Sequence, residues 1–291
     1  MKRRVIKQGN NTLTVTLPKS WTEENGVKPG QDIELEIKGN SVVLSTSSLR
    51  DGEKKEIDIS ELKSILPMLL LSLYRKGYDE LRLSFDDAGV LVALEGILLT
   101  TGFTLVEHSS RHCVVRALAD ADNMQFSEMV RKLILLVKLK LDNLAEGLKG
   151  RSHRLESMIG LNQVPTLTNF CHRLMAKHRR DDVLHMHTLI SSVESLDRQI
   201  RLLTEILMDN RCQVSGEADQ MLQEFAMLFS EFYSGFLSAT LEAIAPIMLK
   251  KRLVEERLSH LYGTDHSLLI GLSNSMVYFD AMVNSALLMV V

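Results

Sequence analysis

Five Lys and Arg side chains, with no Asp or Glu among them, stand in the first twenty positions of a 291-residue chain whose formal net charge is −3. Lys2, Arg3, Arg4 and Lys7 come first, Asn10, Asn11 and Thr12 follow, and Lys19 closes the set. Ammonium and guanidinium groups neutralise phosphates, while Asn and Thr hydrogen-bond phosphate oxygens or base edges. Local basic charge in an otherwise acidic chain suits an anionic partner, and nucleic acid fits these side chains. Charge alone is equally compatible with a solvated arm, so the surrounding pattern has to decide.

Other chemistry-bearing residues make weaker sets. His108, His112 and Cys113 sit around one hairpin, three ligand types short of a tetrahedral metal site. His178, Asp181, Asp182, His185 and His187 cluster near an interhelical turn. There His178 and His185 share a face only if one helix runs through. Neither set is taken as a metal site, and no cofactor is expected. There is no Gly-rich phosphate loop, nucleophile elbow or zinc quartet. The chain is therefore expected not to be an enzyme.

The elements that must position the basic residues are short strands. From Thr12 to Leu17 the residues alternate strictly, with Leu13, Val15 and Leu17 on one face and three threonines on the other. Gly9-Asn10-Asn11 marks a turn before it, and Pro18 opens a helical turn carrying Lys19, Ser20 and Trp21. A second hairpin follows: Ile33, Leu35 and Ile37 face inward, Gly39-Asn40 forms the loop, and residues 41 to 45 return. So small a unit buries little apolar surface, and oligomerisation is one remedy.

Val-Ile-Lys-Gln-Gly-Asn-Asn, Thr-Val-Thr-Leu-Pro-Lys-Ser-Trp and Gly-Val-Lys-Pro-Gly-Gln-Asp resemble the AbrB/SpoVT swapped-hairpin DNA-binding domain over residues 2 to 45. The resemblance implies a homodimer whose chains interleave their hairpins into one small β-barrel. It also implies a DNA-facing surface carrying Lys2, Arg3, Arg4 and Lys7, with Asn10, Asn11, Thr12 and Lys19 as closer polar contacts.

Beyond a polar stretch, residues 45 to 56, read as a linker, comes a small α+β unit. Its expected order is helix (60 to 76), strand (81 to 83), helix (90 to 100) and two strands (103 to 107, 113 to 117). Over residues 51 to 120 the chain carries 8 Lys/Arg and 12 Asp/Glu, a net of −4, so no second DNA surface is expected. A spacer or sensing role stays open.

After Met124 apolar residues recur at helical spacing, as in Leu133, Leu136, Val137, Leu141 and Leu144. Helices are predicted near 124–148, 166–179, 182–209, 218–245, 247–261 and 266–290, as two three-helix bundles in series. Residues 125 to 148, Val193-Glu194-Ser195-Leu196-Asp197-Arg198-Gln199 and the last helix around Asp280 are similar to PhoU-like proteins, which regulate phosphate uptake. The order of parts resembles archaeal phosphate-uptake regulators. Metal-binding members of that family place a carboxylate four residues before an aspartate. Here Val193 and Met276 hold those positions and only Glu194, three before Asp197, is nearby, so a metal is not expected. The fourteen methionines read as core filler.

The expected organisation is multidomain α+β. Residues 1–48 form an AbrB-type DNA-binding domain, 53–119 a small α+β linker or sensor, and 121–291 a PhoU-like bundle domain. Cys113, Cys171 and Cys212 show no paired spacing, which suits a reducing compartment. With neither a signal-type apolar stretch nor a spanning run, a cytoplasmic protein without membrane insertion is expected. The function expected is DNA-binding regulation of phosphate uptake. The bundle would sense a ligand, a phosphate transporter or a signalling protein. An adaptor restraining a transporter without DNA, and an antitoxin, are the alternatives.

Overall fold

The computed structural model describes residues 2–9, 12–38, 41–46, 53–118, 123–147, 163–177, 182–208, 214–261 and 266–290. Asn10, Asn11, Gly39, Asn40, His178, Asp181 and Cys212, and residues 262–265, lie outside these. The chain divides into two compact units, Met1–Glu53 and Lys54–Val291.

The first unit holds two hairpins and a short helix. β1 (Ile6–Gln8) pairs antiparallel with β2 (Thr12–Thr14), aligning Ile6 with Thr14, Lys7 with Leu13 and Gln8 with Thr12. α1 (Lys19–Glu24) starts directly after Pro18, which occupies the N-cap with extended dihedrals. β3 (Ile33–Lys38) and β4 (Ser41–Thr46) form the second antiparallel hairpin. The strand expected to reach Leu17 ends at Thr14. The expected inward faces are uncovered within one chain: Leu13 is 69 % exposed and Ile37 76 %, and Val5, Ile6, Val15, Leu35 and Val42 are exposed too. Of the residues here whose exposure is described, none is buried.

The second unit begins with a strand that the polar sequence had suggested was linker. β5 (Lys54–Asp58) runs parallel to β6 (Glu80–Ser84), completing a sheet of order β5-β6-β8-β7 with β7 (Phe103–His108) and β8 (His112–Ala117). Lys54, Lys55 and Glu56 are exposed on this edge and only Ile57 is half-buried, so no apolar alternation announces the strand. A short 3₁₀ turn and α2 (Leu66–Arg75) make the β5–β6 crossover, and α3 (Val90–Thr101) joins β6 to β7. One core holds them together, including Leu70, Leu73, Tyr74, Leu81, Leu83, Leu94, Phe103 and Val115. Gly102 ends α3 in the left-handed region (φ +78°), where a Cβ would sit 2.6 Å from the Tyr74 ring.

Among the described residues six long helices follow: α4 (Asn123–Gly147), α5 (Val164–Lys177), α6 (Val183–Met208), α7 (Gly216–Ser238), α8 (Leu241–His260) and α9 (His266–Val290). α4, α5 and α6 pack on one another, as do α7, α8 and α9; α4 against α7 and α6 against α9 join the two trios. A single apolar core runs through both, with Phe225, Phe229, Phe232 and Phe279 in edge and tilted ring contacts. The break expected at Pro246 falls earlier, at Ala239 and Thr240. Ala239 adopts the left-handed conformation (φ 50°) and its N–H donates to Gly235 O. Gly235 permits the tight reversal, because a Cβ there would lie 3.0 Å from the Ala243 carbonyl oxygen. Pro246 is accommodated inside α8.

The helices also clasp the α+β layer. Arg173 of α5, fully buried, donates to the carbonyls of Tyr74 and Tyr78 and to Asp79, and Lys177 reaches the same carboxylate.

Candidate nucleic-acid interface

Lys2, Arg3 and Arg4 precede β1 and are exposed, as are Lys7, Thr12 and Lys19. Paired residues on an antiparallel ladder share a face. Lys7 therefore lies with Leu13, whereas Thr12 lies with Gln8 on the opposite face. The hairpin does not put Lys7 and Thr12 on one surface. Thr14 faces the same way as Thr12 and its hydroxyl donates to the Ile6 carbonyl. Lys19 opens α1, where its ammonium stands 3.6 Å from Glu23. That exposed pair contributes little stability, and Glu23 and Glu24 dilute the positive field of α1. Lys2, Arg3, Arg4 and Lys7 are the part of the set with no acidic neighbour in sequence, since the first carboxylate of the chain is Glu23.

The carboxylates singled out in the helices serve different partners. Glu194 accepts two hydrogen bonds from Arg75 of α2, at 2.9 and 3.0 Å. Asp197 instead accepts from Lys140 of α4 at 2.5 Å, with both side chains almost fully buried. In the second trio Asp280 pairs with Lys251, which Glu255 also contacts at 3.1 Å. Burial pulls the Lys251 ammonium down, but hydrogen bonds and charge from Asp280 and Glu255 outweigh it and leave it raised. Each aspartate thus has an ammonium where a metal-binding pair would converge on a cation. Sequence reasoning marked Asp197 and Asp280 but missed Lys140 and Lys251. Lys140 sits in an i, i+4 run with apolar Leu136 and Leu144, and that was the available signal.

The β7–β8 hairpin does not assemble a site either. Cys113 points into the α+β core, and burial pushes its thiol up to about 11, while neighbouring His112 is exposed. Cys171 is buried likewise and pushed up to about 12. Such thiols carry little thiolate at neutral pH. Among the described residues no three His, Cys, Asp or Glu side chains gather where an ion could be held. His178 lies outside the described residues, while His187 of α6 lies against His172 of α5, ring centroids 4.8 Å apart.

Uncovered apolar hairpin faces and a basic arm make up the small N-terminal β module. Residues 6–51 match the family described as antidote-toxin recognition MazE, bacterial antitoxin, and this segment is an antidote domain of the MazE/AbrB type. No curated protein and no solved structure matches the chain. Among the described residues no helix is long and apolar enough to cross a membrane.

Proposed function

We propose that this chain is a cytoplasmic, non-enzymatic transcription regulator that binds DNA as a homodimer and governs phosphate uptake. The N-terminal module carries the reading. Its basic arm suits phosphates, and its exposed Leu13, Val15, Leu35 and Ile37 are apolar surface that a second copy would cover by interleaving hairpins into one barrel. The helical part then receives the signal. Its link to phosphate rests on the similarity of residues 125–148, 193–199 and the last helix to PhoU-like proteins. Partners there would be a ligand, a transporter or a signalling protein.

Genome-wide mapping of bound DNA under high and low phosphate tests both parts. Peaks beside phosphate-transport genes that change with phosphate are expected. Peaks elsewhere remove the phosphate role, and an absence of peaks leaves the transporter adaptor.

The matched family favours a second reading, an antitoxin. Antitoxins commonly end in a segment that folds on the toxin. Here residues 54–291 already form a compact unit with continuous cores, which argues for a regulator. Rescue of growth from a toxin encoded beside this chain would reverse that order.

A further inference from the structure

The outward face of α9 carries no charge. From Ser267 to Val290 the only Asp, Glu, Lys or Arg is Asp280, and Lys251 of α8 holds it. The inner face is buried through Leu268, Leu272, Phe279, Val283 and Ala286. At 3.6 residues per turn, Ile270, Asn274, Val277, Ala281, Asn284 and Leu288 fall on the opposite side. Ile270, Val277 and Leu288 are 46, 64 and 56 % exposed. The helices that α9 packs on face water differently, with exposed Arg198, Arg201 and Glu205 on α6 and Lys250, Arg252 and Glu256 on α8. A helix that is apolar all round is one that an assembly buries all round.

The six outward positions recur at alternating intervals of four and three, the spacing of a seam between two helices. Their chemistry reads the same in both directions: large apolar, asparagine, smaller apolar, then smaller apolar, asparagine, large apolar. We propose that this seam pairs antiparallel with α9 of a second copy of the chain. About a two-fold axis level with Phe279, Ile270 meets Leu288, Asn274 meets Asn284 and Val277 meets Ala281, and each pair occurs twice, as an isologous contact requires. Asn284 is oriented for this: its Nδ2 donates to Asp280 Oδ2 at 3.0 Å, which leaves its Oδ1 to accept from Asn274 of the second copy. Parallel pairing would set Ala281 on Ala281 beside Val277 on Val277, an uneven seam. Neither copy presents a charge that the other must strip of water.

At 1.5 Å per residue the seam is about 27 Å long. One helix pair of that length buries less than the roughly 800 Å² per partner of a free-standing interface. It suits copies already held by another contact, where effective concentration stands in for area. The inference therefore rests on the homodimer of the proposed function, and its test separates the two.

Disulfide trapping in the full chain is the experiment. Cys212→Ser removes one native thiol, and Cys113 and Cys171 are buried. Ile270→Cys and Leu288→Cys are then introduced together or singly, and mild oxidation is followed on a denaturing gel. The double variant should form a covalent dimer. Each single variant should not, because its two thiols lie about 27 Å apart in the antiparallel pair, far beyond the ~7 Å that a disulfide spans. Adding Val277→Lys, at an exposed position, should slow trapping about tenfold or more with circular dichroism unchanged. Sedimentation of the parent without oxidant reads the homodimer by itself. A dimer whose double variant is not trapped overturns the seam and leaves the hairpin pairing standing, whereas a monomer overturns both. Single variants trapped as fast as the double overturn the antiparallel register. Binding of the parent to anionic vesicles that Val277→Lys abolishes would give the face to lipid instead.

Discussion

A histidine on an amphipathic helix usually turns to water, and His172 does not. It lies between the buried Cys171 and Arg173, against α2, where burial and positive neighbours keep it neutral with a value near 3 against an ordinary 6.5. Below 6.5 the unfolded chain takes up a proton that the folded chain refuses. Neutral His172 thus contributes fully above 6.5, and the contribution is lost as pH falls from there towards 3. The expected slope is about 1.4 kcal/mol per pH unit across that window. Urea unfolding at several pH values should show it in the parent and show a shallower slope in His172→Phe, which keeps a ring without a titrating nitrogen. Glu80 provides the contrast. Its hydrogen bond from Arg116 leads the effects that hold its carboxyl below 4.5, so its contribution is present above that value and disappears only in stronger acid. Glu80→Gln should leave the pH 6.5-to-5 region unchanged. Neither environment was readable in sequence, because each depends on what a distant element places beside the residue.

At the scale of elements, the apolar period of 3.6 made the six long helices among the described residues legible, and the alternation of Leu81 and Leu83 together with the runs 103 to 107 and 113 to 117 marked three of the four strands of the second unit's sheet. β5 escaped because Lys54 to Glu56 form an exposed sheet edge and bury nothing. The α7–α8 break escaped because proline is the conspicuous breaker in sequence, whereas Gly235 and the left-handed Ala239 make the reversal. The paired ions across helices were half legible: the aspartates stood out, their lysines did not. Lys140 and Asp197 pin α4 to α6 from inside an apolar core. Removing Lys140 leaves the buried Asp197 carboxylate with only the longer 3.5 Å contact from Arg201 Nε, so Lys140→Met should cost about 3 kcal/mol, whereas Lys140→Met with Asp197→Leu should recover most of it. Chemical denaturation of the two variants and the parent closes the cycle. The same ammonium groups lead to an expectation about metal: exhaustive chelation should leave the melting temperature unchanged. A fall that zinc or iron reverses would show that a cation, and not lysine, completes these carboxylates.

Across the whole molecule the two units are built unequally. Residues 54–291 enclose two cores, while the N-terminal unit has no described residue that is buried. Exposed Val5, Ile6, Leu13, Val15, Leu35, Ile37 and Val42 are more apolar surface than so small a module can hide by itself. The isolated segment 1–53 should therefore sediment as a dimer, folding and associating together; a folded monomer at micromolar concentration would refute this. DNA binding should then follow the charge map. Replacing Arg3 and Arg4 with Ala should weaken binding to every sequence, and each lost phosphate contact should reduce the slope of log K against log salt by about 0.9. Lys7 shares its face with Leu13, so Lys7→Ala distinguishes two arrangements: an unchanged slope places that face against the partner chain, a reduced slope places it on DNA. Thr12→Val on the opposite face should alter discrimination between sites and leave the slope intact, because a neutral side chain releases no counterions. Residues 121–291 carry 18 Lys/Arg against 20 Asp/Glu, so they should add little to affinity. Anisotropy titrations across several salt concentrations read all of these variants at once. If Arg3→Ala with Arg4→Ala leaves both affinity and slope unchanged, the arm does not hold DNA and the transporter-adaptor reading takes its place.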